Sequence, residues 1–236
     1  MTYVPSHIDF TLALTMVGLM AVEVCIFARL RRAPAREARL PAYTYLIAYQ
    51  WVLVAFVLAL WIARKRPWSL LLMASPNRWG FGISLALAGA LVILLLLQRR
   101  TLRHRPELGE KAHGQIAQVE WLVPHTPRER RLWTVAAMTA GCCEEVLFRG
   151  FLLVFVASLA GLFMAVLTNV LLFGLFHAYY GWRGILKTAS FGLVMALMAL
   201  WSASLIPVII IHATVDLNTG DLAYRLLTKS SPPTAI

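Results

Sequence analysis

The chain has 236 residues, 60% of them hydrophobic, and a mean hydropathy of +0.71. Soluble globular chains hold about 45–50% apolar residues, so a water-soluble fold is excluded and a membrane protein is expected. The net charge of +11, from 22 Lys and Arg against 11 Asp and Glu, then reads as basic loops lying against an anionic leaflet rather than as a nucleic-acid surface.

In chain order, the apolar runs predict an all-α, polytopic helical bundle of about seven transmembrane helices (six to eight). They lie at 8–28, 43–63, 79–98, 132–157, 162–180, 185–201 and 205–226. The short alternating segments of a β-barrel are absent. The N-terminus MTYVPSHIDF lacks a basic region, and no small-residue cleavage site follows the first apolar run. No cleavable signal peptide is therefore expected. The stretch PWSLLLMAS at 67–75 is too short to span and reads as interfacial or re-entrant. With the N-terminus outside, the inner regions carry 17 of the 22 basic residues and the outer loops only 4, which predicts an N-out, C-in orientation. Arg64, Lys65 and Arg66 form a local exception.

Thr126, Pro127 and Glu129 read as a capping box that starts the fourth helix below the membrane surface. Trp51, Trp61, Trp68, Trp79, Trp121 and Trp133 include several near predicted interfaces, and these read as membrane anchors. Cys25, Cys142 and Cys143 read as packing residues, with no disulfide framework and no zinc knuckle. No repeat or linker divides the chain. One integral membrane domain over 1–236 is expected, with N-terminal helices in 1–100 and a polar-bearing core over 120–220.

Ionisable groups in a span cost roughly 2.5–3.5 kcal/mol each at a helix centre, so they mark functional sites by default. In the second half of the chain they fall into three strings, EEVLFR, FGLFH and HATVD. Glu145 and Arg149 are spaced i, i+4 and can neutralise one another along one helix face. Glu144 is rotated by about 100° from Glu145 and has no such partner in its own helix. Asn169, Phe173 and His177 form a stripe on the fifth segment, and His212 and Asp216 are i, i+4 on the seventh. Asn169 either faces the site or bridges helices, and Glu23 in the first segment reads as facing a helix interface. Glu144 and His212 lie at similar depths, about 18 and 21 Å from the inner end at 1.5 Å per residue. His177 lies only a few residues from its inner end. Either the fifth helix ends later or the site opens toward the cytoplasm.

If these faces meet, Glu144 with a histidine can activate water for attack on a peptide carbonyl, and a second histidine can stabilise the oxyanion. Glu144, His177, His212 and Asp216 are also acceptable ligands for a divalent metal such as zinc, although the helical motif HExxH is absent.

The same strings resemble a known family. EEVLFR (144–149), FGLFH (173–177) and HATVD (212–216) are similar, in order, to the EExxxR, FxxxH and HxxxN/D motifs of the CAAX-protease and bacteriocin-processing family, also labelled Abi. The flanks TPRER, FRGFL and HAYYG look alike as well, and the resemblance covers roughly 120–220. It implies an intramembrane endopeptidase. Glu144 would be the water-activating base with His177, His212 and Asp216 the oxyanion site, and Glu145 and Arg149 supporting residues. An Asn at the last position would supply an amide donor, whereas Asp216 donates only when protonated. Asp216 is thus equally suited to orient His212 or to ligate a metal.

The implied substrate is a protein or peptide precursor, lipidated or bearing a leader or C-terminal sorting tail, cut near the cytoplasmic face of a bacterial inner membrane. Two other classes fit the same groups. One is a proton-coupled transporter, which lacks here the expected inverted repeat. The other is a non-proteolytic immunity or scaffold protein.

Overall fold

A computed structural model describes residues 3–32, 38–74, 76–104 and 119–229. Much of the basic stretch between 99 and 131, and the tail after Lys229, lie outside the described residues. The described chain is helical, with no strand among those residues. The elements are α1 (His7–Arg32), α2 (Arg39–Ala63), α3 (Arg78–His104), α4 (Pro127–Glu145), a π-helical segment (Val146–Leu152), α5 (Leu153–Leu175), α6 (Trp182–Ser202) and α7 (Ile206–Lys229). Single 3₁₀ turns occur at Trp68–Leu71 and Ala178–Tyr180.

Five helical runs are long and apolar enough to cross a membrane by length and composition: His7–Arg32, Arg39–Ala63, Arg78–Leu102, Pro127–Leu175 and Trp182–Ser202. The fourth of these joins two of the segments expected from sequence into one helical run, interrupted at Gly161 (φ 83°, ψ 167°). That conformation is accessible essentially only to glycine, because it has no Cβ. α7 is not among the five; Asp216, Asp221, Arg225 and Lys229 dilute its apolar surface.

The helix start at Thr126 follows from local chemistry. The Thr126 side chain accepts from the Glu129 backbone N–H at 3.1 Å, and the Glu129 carboxylate accepts from the Thr126 N–H at 2.9 Å. Two of the free donors at the helix N-terminus are thereby satisfied. Glu129 is also buried against Arg39 of α2 at 3.0 Å, so the cap fastens α4 to α2.

α7 packs along α4, α5 along α6, and α2 along α4. Gly141 makes the first approach possible, since a Cβ there would lie 2.6 Å from the Ala213 backbone nitrogen. The main core gathers Met16, Leu53, Val57, Leu147, Phe148, Phe151, Met195 and Val208 from five elements. Trp61 belongs to this core, fully buried against Tyr3 and Phe151, rather than to a membrane interface as its position in sequence suggested. The described part of the 67–75 stretch, 67–74, folds back into the bundle. Leu71 is fully buried near Gly150, and the Leu72 carbonyl accepts from Leu205 N–H at 3.0 Å.

Candidate functional site

Glu144 and Glu145 occupy the last turn of α4, where the α-helix passes into the π-helical segment. π-turns are rare and recur at functional positions, because the widened turn leaves a backbone group to be satisfied elsewhere. Here Asn169 of α5 donates its Nδ2 to the Phe148 carbonyl at 2.6 Å, bridging α5 to that segment. Of the two roles open to Asn169, the structure has the bridge.

Glu145 and Arg149 make the expected pair. Arg149 NH1 lies 3.0 Å from Glu145 Oε1, and both side chains are fully buried. Arg149 also donates to the Gly192 carbonyl of α6 at 3.2 Å, and its guanidinium lies 4.3 Å from the centre of the Phe173 ring. One arginine therefore ties α4, the π segment, α5 and α6 together.

The same Glu145 Oε1 receives a second donor, His212 Nδ1, at 2.7 Å. A carboxylate only accepts, so Nδ1 carries the proton. His212 Nε2 is thereby turned toward Glu144 Oε2 at 3.9 Å and Asp216 Oδ2 at 3.6 Å. Three carboxylates from two helices thus surround one imidazole. Glu144 is nearly buried, and its Oε1 accepts from Gln50 Nε2 at 2.9 Å, whereas Oε2 is buried with no hydrogen-bond partner.

His177 stands apart from this cluster. α5 ends at Leu175, earlier than the expected span to 180, so His177 follows the helix rather than riding on its face. The last carbonyls of a helix lack amide partners, and His177 Nδ1 takes one of them, the Phe173 carbonyl, at 2.7 Å. A carbonyl only accepts, so Nδ1 carries a proton, and Nε2 is left for another partner. Glu144 and His177 make no direct hydrogen bond or ion pair among the described residues. Phe173 is what links the two histidines: its ring centre lies 4.8 Å from that of His177 and 6.0 Å from that of His212.

Sequence reasoning missed Gln50 and Tyr49 on α2. Gln50 is fully buried and is the direct partner of Glu144. Glu23 of α1 accepts from the Tyr49 hydroxyl, so the interface expected for Glu23 is with α2. The available signal was a lone glutamine among apolar residues of the second segment. A cavity of about 370 Å³ lined by Val92, Leu95, Arg99, Arg130, Trp133 and Asp221 opens between α3, α4 and α7, and none of the cluster residues around Glu144 lines it.

No group of three or more His, Cys, Asp or Glu side chains that could hold a metal ion forms among the described residues.

Residues 128–218 match the model of a family described as Rce1-like, type II CAAX prenyl endopeptidase Rce1-like. This segment is similar to the CAAX-protease family. It runs from the first turn of α4 to the middle of α7 and includes Glu144, Glu145, Arg149, Asn169, Phe173, His177, His212 and Asp216. Glu23, Tyr49 and Gln50 lie outside it. Comparison with curated proteins and with solved structures gives no match. The matched segment is set among several helices apolar enough to cross a membrane, as in an integral membrane protein.

Proposed function

We propose that the protein is an intramembrane endopeptidase that hydrolyses a peptide bond in a protein or peptide precursor near the cytoplasmic face of a bacterial inner membrane. In this reading the substrate is lipidated or carries a C-terminal tail. The chain crosses the bilayer about seven times, with its N-terminus outside. The observation that carries the reading is the state of Glu144: one carboxylate oxygen is held by Gln50, and the other is buried without a partner beside His212.

In the proposed reaction Glu144 Oε2 takes a proton from water while the hydroxide forms a bond to the scissile carbonyl carbon. His177, through Nε2, shares in holding that water. The carbonyl oxygen becomes an oxyanion, toward which Nε2–H donates when His212 is a cation, its Nδ1–H still held by Glu145. The C–N bond then breaks, and Glu144 returns its proton to the leaving amine. Asp216, as a carboxylate 3.6 Å from His212 Nε2, orients that ring rather than donating to the oxyanion. Glu145 and Arg149 fix the helix geometry. No step in this reading is routed through a metal, and the chelator arm of the test below decides between the two forms of the reaction.

The test is cleavage of a fluorogenic prenylated CAAX peptide by the full chain in liposomes. Glu144→Gln should lower kcat by about 10²–10⁴-fold, the range of general-base catalysis. The wild-type rate should survive a strong chelator. Wild-type cleavage by Glu144→Gln sinks the base assignment, and zinc-reversible loss in chelator sinks the metal-free reaction.

A further inference from the structure

Helices α1 and α2 lie outside the family segment, yet they make the hydrogen bond that reaches Glu144. The connection is a directed chain. The Tyr49 hydroxyl donates to Glu23, so its lone pair is left to accept, and Gln50 Nε2 approaches it at 3.4 Å. The same Gln50 Nε2 donates to Glu144 Oε1 at 2.9 Å. The reversed amide would set Gln50 Oε1 against both the Glu144 carboxylate and the Tyr49 oxygen. The network therefore fixes the amide orientation. Glu23, Tyr49, Gln50 and Glu144 are all buried. A fixed donor on Oε1 leaves Oε2 as the one Glu144 oxygen open to a reacting proton, and Oε2 is the oxygen with no hydrogen-bond partner.

We infer that Gln50 is a positioning residue for Glu144, aligned in turn by Tyr49 and Glu23, so that the N-terminal helices complete the site. The inference rests on the reading of Glu144 as the base. It assigns α1 and α2 a part in the chemistry in addition to packing. A purely structural role and a positioning role differ in what they move. Positioning acts on the reacting state and lowers kcat with KM unchanged, whereas loose packing lowers thermal stability.

The experiment uses the full chain in liposomes with the same prenylated CAAX peptide. Gln50→Met keeps a long unbranched side chain but removes the donor. It should lower kcat by about 10- to 100-fold, as expected for loss of one hydrogen bond to a charged group, with KM and unfolding temperature unchanged. Tyr49→Phe and Glu23→Leu should lower kcat by less. Glu23→Gln retains an acceptor for the Tyr49 hydroxyl and should rescue most of the rate.

A second readout does not depend on turnover. The infrared band of the Glu144 carboxyl group, isolated by subtracting the Glu144→Gln spectrum from wild type, should shift in Gln50→Met and Tyr49→Phe. An unmoved band in Gln50→Met overturns the inference, whatever the peptide assay gives. Wild-type kcat in Gln50→Met beside an inactive Glu144→Gln overturns the inference alone. A fully active Glu144→Gln overturns the base assignment beneath it.

Discussion

Arg149 has no exposure, and its attachments are Glu145, the Gly192 carbonyl and the face of Phe173. Removing one partner of a buried ion pair leaves an uncompensated charge, at a cost of about 3–5 kcal/mol. Arg149→Met should therefore lower stability by about that amount in a denaturant titration in detergent. Arg149→Met combined with Glu145→Gln should recover a large part of it. If the single variant matches wild type, the pair is not structural. The i, i+4 spacing made this contact legible in the sequence. It did not reveal that Glu145 also takes His212, because that bond joins residues on helices far apart in the chain. Gln50 was hidden for the same reason: its partner is 94 positions away, and no local period marks it.

At the scale of the elements, two glycines separate stability from alignment. Gly161 breaks the long helical run at φ 83°, with open space where a Cβ would lie. Gly161→Ala meets only backbone strain of about 1–3 kcal/mol and should lower the unfolding temperature with kcat per folded molecule unchanged. Gly141 instead sits where α4 meets the Ala213 backbone of α7, one turn from Glu144 and His212. Gly141→Ala must push those helices apart, at a cost of about 1–3 kcal/mol for overpacking, and should lower both stability and kcat. Equal effects of the two substitutions on kcat would remove the link between this helix contact and the site. The start of α4 was legible because a capping box is local in sequence. The end of α5 was not, since apolar composition continues past Leu175 while the backbone leaves the helix.

The whole molecule carries its charge asymmetrically, and the exception at Arg64, Lys65 and Arg66 has a structural account. Arg66 makes a two-pronged pair with Asp9, at 2.7 Å on each arm, and stacks over Tyr3 and Trp61. Hydrogen bonding to Asp9 raises the Arg66 pKa, and the pair joins the start of α1 to the loop after α2. A basic group committed in this way weighs little against an outer location for that loop. Reporter fusions test the proposed orientation. Fluorescent-protein fusions at the C-terminus should fluoresce, and alkaline phosphatase inserted near residue 65 should be active. The opposite pattern reverses the orientation.

The sequence by itself determined the apolar spans, the helical class, the helix start at Thr126 and the three strings that lie in the segment similar to the CAAX-protease family. Each depends on composition or on spacing within a few turns. Only the tertiary structure decided that Glu144 is held from α2 by Gln50, that His212 turns its Nδ1 to Glu145, and that His177 takes a helix-end carbonyl instead of Glu144. A buried polar group takes the partner that packing brings within hydrogen-bond reach, and in this bundle the partner comes from another helix.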